Sequence, residues 1–142
     1  MIARSVFTAL AFGFASSTIA AESSRIVLKG YDPVAYFTEG KPVKGDSRYA
    51  YDWDDGRYHF ANARHRDMFA GNPDKYVPQF GGFCTGSMAR GVRNEADPEG
   101  WTIQDGKLYM FGAAKFKAMA EADPQFIPAR LDSARKHYRE GK

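Results

Sequence analysis

The 142 residues contain one cysteine. A chain with a single Cys closes no internal disulfide, so its fold must stand on packing alone. The same scarcity removes paired-Cys zinc sites and the Cys-x-x-Cys-His attachment of haem. Histidine is scarce too, with three residues and no His-Glu-x-x-His run. The serines lack a glycine-rich elbow, and no phosphate-cradling glycine loop is present. Little is left for acid–base or nucleophilic catalysis, and the expectation is a protein that is not an enzyme. Beyond the first 21 residues no apolar run reaches the ~20 residues that span a bilayer, so no transmembrane segment is expected in the mature chain. No stretch reads as a linker or as a repeat.

What is present begins with an export signal. Arg4 supplies a positive start, Val6 to Ala15 is apolar and uncharged, and small residues from Ser16 to Ala21 follow. That order is the pattern of a cleavable signal peptide over residues 1–21, with the cut after Ala20 or Ala21. The mature protein, residues 22–142, is then periplasmic or secreted. It is the size of one ordinary domain. Removing Arg4 leaves 19 cations against 17 acids, a near balance. The cations that crowd the end, Arg130, Arg135, Lys136, Arg139 and Lys142, read as a solvated helix face. Nucleic acid is not an expected partner of an exported chain.

The periodicity gives an α+β class, a small single domain with two β-hairpins packed against short helices. A short strand from Ile26 leads to a turn at Asp32-Pro33. Tyr49 to Ala61 forms a hairpin around Asp54-Asp55-Gly56, and Trp101 to Phe111 forms another around Asp105-Gly106. The acids Asp52, Asp54 and Asp55 are read as turn chemistry. Asn62 caps a helix to about Ala70, with His65, Met68 and Phe69 on one face. Asn72-Pro73 opens one further turn. A short helix is expected from about Gly82 to Arg90, with Phe80, Cys84 and Met88 along one side. Helices from Ala113 to Glu121, with Phe116, Met119 and Ala120 as its stripe, and from Pro128 to Glu140 complete the chain. Phe60, Phe69, Tyr76, Trp101, Leu108 and Tyr109 are the expected core.

Several spaced motifs resemble those of exported YHS-domain proteins. They are Lys29-Gly30-Tyr31-Asp32-Pro33-Val34-Ala35-Tyr36-Phe37, then Tyr58-His59-Phe60-Ala61-Asn62 with Phe69, Asn72-Pro73 and Tyr76. Pro78-Gln79-Phe80-Gly81-Gly82-Phe83-Cys84, Asp97-Pro98 with Trp101, and Asp105-Gly106-Lys107-Leu108-Tyr109 continue the series. The resemblance runs from about Lys29 to Phe126 and implies a metal-handling ancestry, since the family also occurs as a module of copper-transporting ATPases. Where the metal-binding version carries cysteines, this chain has Ala35, Ala61 and His65.

Two functions follow as expectations. One is metal binding, with Cu(I) the candidate cofactor and Cys84, His65 and Met88 the candidate ligands, because thiolate and thioether favour Cu(I). His59 and Met68 are further donors. The other is a binding module whose aromatic cleft takes a small molecule or a periplasmic protein partner. Cys84 is buried and inert, paired between chains, or held as a thiolate for a metal. N-terminal sequencing of the periplasmic fraction should begin at Ala21 or Glu22, and an intact Met1 there would refute the leader.

Overall fold

In the computed structural model, which describes residues 24–142, the chain opens with a two-residue strand, β1 (Arg25–Ile26). The expected signal peptide lies outside the described residues. Val27–Gly30 follows as a tight turn in which Leu28 and Lys29 take left-handed φ angles of 55° and 53°. That turn ends β1 at Ile26, where the short strand was expected to begin. The expected Asp32-Pro33 turn is instead the start of a helix, α1 (Pro33–Thr38). The Asp32 carboxylate accepts the Val34 and Ala35 N–H groups, and Pro33 gives up no needed donor at the first helical position.

β2 (Asp46–Trp53) and β3 (Gly56–Phe60) form the first hairpin, with Asp54 at a φ of 53° in its turn. β2 begins earlier than expected because Asp46 still faces Phe60 across an irregularity in the ladder. α2 (Ala63–Gly71) is capped by the Asn62 side chain, which accepts the His65 N–H at 2.9 Å. α3 (Pro73–Tyr76) is the expected single turn. Between Gln79 and Gly82 lies a second left-handed turn, with Phe80 at 55° and Gly81 at 62°. The helix expected over Gly82 to Arg90 is thereby reduced to α4 (Thr85–Met88), since Gly82 at a φ of 78° belongs to the turn. β4 (Asp97–Gln104) and β5 (Lys107–Phe111) form the second hairpin. α5 (Lys115–Ala122) and α6 (Pro128–Glu140) finish the fold. β1 pairs parallel to β3 in a three-stranded sheet, and β4–β5 stands alone. The class is α+β, as the periodicity indicates.

The structure also contains a repeat that the residues alone did not reveal. Each pair of facing residues in the second hairpin lies 51 positions after a pair in the first. Asp46 faces Phe60 as Asp97 faces Phe111, Ala50 faces His59 as Trp101 faces Met110, and Tyr51 faces Tyr58 as Thr102 faces Tyr109. Both ladders break at the same step. The left-handed turns lie 52 apart, and the bridge between Tyr31 and Lys44 reappears between Phe83 and Glu95. Helices α1 and α2 correspond to α4 and α5. Asp32 therefore corresponds to Cys84, Ala61 to Gly112, and His65 to Phe116.

β5 is buried on both of its faces and divides two cores. Leu108 and Met110 pack into a cluster with Tyr36, Phe60, Phe69 and Trp101. Tyr109 and Phe111 pack into another with Met88, Phe126, Ile127 and Ala134. All six expected core residues are buried. Met119 is not part of the buried stripe expected for α5, because α5 lies against the rim of the second cluster and leaves that side chain 48% exposed. Phe69 sits at the centre of the first cluster, its ring centroid 4.7 Å from Tyr58, 5.2 Å from Phe60 and 6.0 Å from Tyr51. Phe69→Ala should lower the free energy of unfolding by about 3–5 kcal/mol in a urea titration. A loss below about 1 kcal/mol would contradict that central place.

Candidate functional site

The two repeats treat one position in opposite ways. In the first, Asp32 is fully buried and its carboxylate takes four hydrogen bonds. Oδ1 accepts from Val34 at 2.8 Å and Ala35 at 3.3 Å. Oδ2 accepts from the Ala61 N–H at 2.9 Å and from His65 Nδ1 at 2.6 Å. That last bond fixes the imidazole with Nδ1 as the donor and leaves Nε2 as its remaining polar atom. The head of α1, the end of β3 and the first turn of α2 thus meet on one carboxylate. The position is filled.

In the second repeat the same position opens onto a cavity of about 200 Å³. Cys84 replaces Asp32, and its thiol makes no capping bond to α4. Phe116 replaces His65 and, with Phe111 and Phe126, supplies the apolar wall. Gly86 and Gly112 bring backbone to the rim; a side chain at 112 would meet Cys84 Sγ at 3.6 Å. Arg90, Arg130 and Ser87 provide the polar edge. Arg130 is held rather than free: its guanidinium lies 3.9 Å from the Phe126 ring centroid and donates to the Phe126 carbonyl. Reading Arg130 as one more solvated cation missed this role. The pocket combines one held guanidinium, Arg130, and the exposed Arg90 with three aromatic side chains.

The expected metal ligands have different fates. Cys84 is a buried free thiol, 7% exposed, on the cavity wall. Met88 is one turn later but packs into the second core at 1% exposure, and it does not line the cavity. His65 is engaged by Asp32 and does not line it either. Among the described residues no group of three or more His, Cys, Asp or Glu side chains is arranged for a metal ion. Copper(I) needs soft or imidazole donors to converge. The cavity that Cys84 lines holds two arginines, a serine and three phenylalanines but, among the described residues, no second soft or imidazole donor. His59, the other imidazole candidate, lies near Arg57 and Lys44; partial burial, then the charge of Arg57, pushes its pKa below the ordinary value.

A second cavity, of about 240 Å³, lies beside the first hairpin turn, between Trp53, Asp54, Asp55, Asp74, Tyr58 and Tyr138. Of the three acids that line it, Asp54, Asp55 and Asp74, the first is paired, as is Asp52 on the neighbouring strand. Asp52 pairs with Arg57 at 2.9 Å, and Asp54 pairs with the ammonium of Lys142. Asp54 also holds the left-handed turn position, in keeping with turn chemistry. Burial raises the Tyr58 hydroxyl well above its usual range, so it stays a neutral wall of that cavity.

The sequence reading did not single out Arg90, Phe126, Gly86 or Gly112. One sequence signal points to the repeat, and through it to Gly112. Arg64-His65-Arg66-x-Met68 echoes as Lys115-Phe116-Lys117-x-Met119, and Tyr58-x-Phe60 as Tyr109-x-Phe111, all at the same spacing.

Asp32→Ala removes a helix cap and strands buried N–H donors, so it should cost about 2–5 kcal/mol of stability by urea unfolding. Unchanged stability would show that the four bonds are incidental. The chain matches no protein-family model, no curated protein and no solved structure.

Proposed function

We propose that the chain is a non-enzymatic binding module whose second-repeat cavity takes a small anion with an apolar body. Delivered by residues 1–21, it would act in the periplasm or outside the cell. The observation that carries this reading is the pairing of Arg90 and Arg130 with Phe111, Phe116 and Phe126 around one opening. Small-molecule sites combine apolar walls with a few placed polar groups in just this way. Guanidiniums select carboxylates through paired, planar N–H bonds. The stacking of Arg130 on Phe126 holds that group ready before a ligand arrives, which lowers the ordering cost of binding. The volume suits a compact ligand, since an apolar cavity of about 150 Å³ accommodates benzene.

The resemblance to YHS domains is the support for the competing reading, copper. The two are separable in one titration series. Benzoate and phenylacetate should bind the purified protein by calorimetry, while benzyl alcohol and benzylamine should bind at least tenfold more weakly. Arg130→Gln should weaken the acids by roughly 10–100-fold, the worth of a charge-assisted hydrogen bond. Equal binding of acid and alcohol, or none of either, overturns the anion site. Stoichiometric Cu(I) binding that is lost in Cys84→Ser, His65→Ala and Met88→Leu would put the metal in its place.

A further inference from the structure

The second cavity has the opposite charge to the first. Trp53, Tyr58, Phe80 and Tyr138 bring four aromatic side chains to its space of about 240 Å³. Asp54 and Asp55 reach it from the first hairpin turn and Asp74 from the first turn of α3, so carboxylates of two separate elements stand among those rings. Among the described residues no basic side chain lines it, and neither Asp55 nor Asp74 makes an ion pair.

An ammonium group already sits at its rim. Lys142 Nζ donates to Asp54 Oδ2 and lies 5.2 Å from the centroid of the Tyr138 ring. A carboxylate and an aromatic face are the two partners by which a protein recognises an organic cation. Lys142 does not itself line the cavity, so its ammonium engages Asp54 from outside without filling the interior. We propose that this cavity binds a small organic ammonium, and that Lys142 is its internal competitor, holding Asp54 until such a ligand displaces it.

The walls are built to keep that shape. The Phe80 and Tyr138 rings meet edge to face at 6.0 Å, which fixes one side. Between them Gly81 holds a φ of 62°, and a Cβ there would lie 3.1 Å from the Tyr138 hydroxyl oxygen. Glycine at that position lets Tyr138 stay in the wall. The donor set also selects the kind of cation. Among the described residues no three carboxylates converge as a metal ion requires, whereas an alkylammonium draws on ring faces and dispersed acids together. The space exceeds the ~150 Å³ that accommodates benzene, so a chain of a few carbons fits behind the charged head.

This cavity shares no lining residue with the one beside Cys84, so the proposal stands apart from the anion reading. The test is a titration of the purified protein with n-butylammonium chloride at constant ionic strength, followed by the NMR shift of the Trp53 indole N–H. The Trp53 signal should move, and n-butanol, similar in shape but uncharged, should bind at least about fivefold more weakly. Trp101, buried under the Lys117 ammonium, is the internal control and should stay in place. Lys142→Met removes the competitor and should tighten butylammonium binding by about two- to fivefold, the worth of one exposed ion pair. Adding Asp54→Asn to that variant should cancel the gain. Both positions are exposed, and Asn suits the left-handed turn, so neither change threatens the fold. A still Trp53 signal, equal binding of butanol, or equal shifts at Trp101 overturns the ammonium site. Equal affinity in wild type and Lys142→Met, or no loss on adding Asp54→Asn, overturns the competition.

Discussion

A single carboxylate organises the first half of this protein. Asp32 lies out of contact with water, where an uncompensated charge would be prohibitive. It is tolerated because four donors from three separate elements converge on it. Each of those elements needs the bond for its own reasons. α1 has orphan N–H groups to satisfy, β3 must end, and α2 must begin at a fixed angle to both. Removing the acid would leave several unmet donors at once, so local choices and the global arrangement reinforce each other.

The second hairpin plays a different part. With Leu108 and Met110 turned to one cluster and Tyr109 and Phe111 to the other, β5 is a wall shared by two cores. Strand periodicity usually separates a core face from a wet face, yet here both faces are dry. A change in β5 is therefore felt by both cores. The cavity beside Cys84 borders this wall through Phe111, so its geometry is backed by packing on the far side as well as the near one.

How much of this was legible depends on the kind of signal. Hairpin turns were plain in the sequence, because Asp-Asp-Gly and Asp-Gly are local devices with a local cause. So were the Asn62 cap and the last helix, whose bounds at Pro128 and Glu140 are set by a proline and a glycine. Helix α1 was missed because Asp-Pro serves a turn and a helix start equally well, and only the tertiary bond from Ala61 decides between them. The left-handed turns were missed because Leu28, Lys29 and Phe80 are residues that rarely adopt that conformation. The expected ligand trio paired Cys84 with Met88 by helical spacing. The helix proved to be one turn long and Met88 was claimed by the core. Arg130 was counted as charge, when its stacking on Phe126 could be seen only with the fold in hand.

The shared register has a consequence for how this chain can change over time. One copy of the frame has committed its central position to cohesion, locking Asp32 to His65, and most replacements there would be lost to selection as unfolded protein. The other copy rests on the neighbouring wall and leaves its central position uncommitted. A change at Cys84 therefore strands no buried carboxylate or imidazole, unlike a change at Asp32 or His65. Novelty in this protein can accumulate in one half while the other keeps the molecule standing.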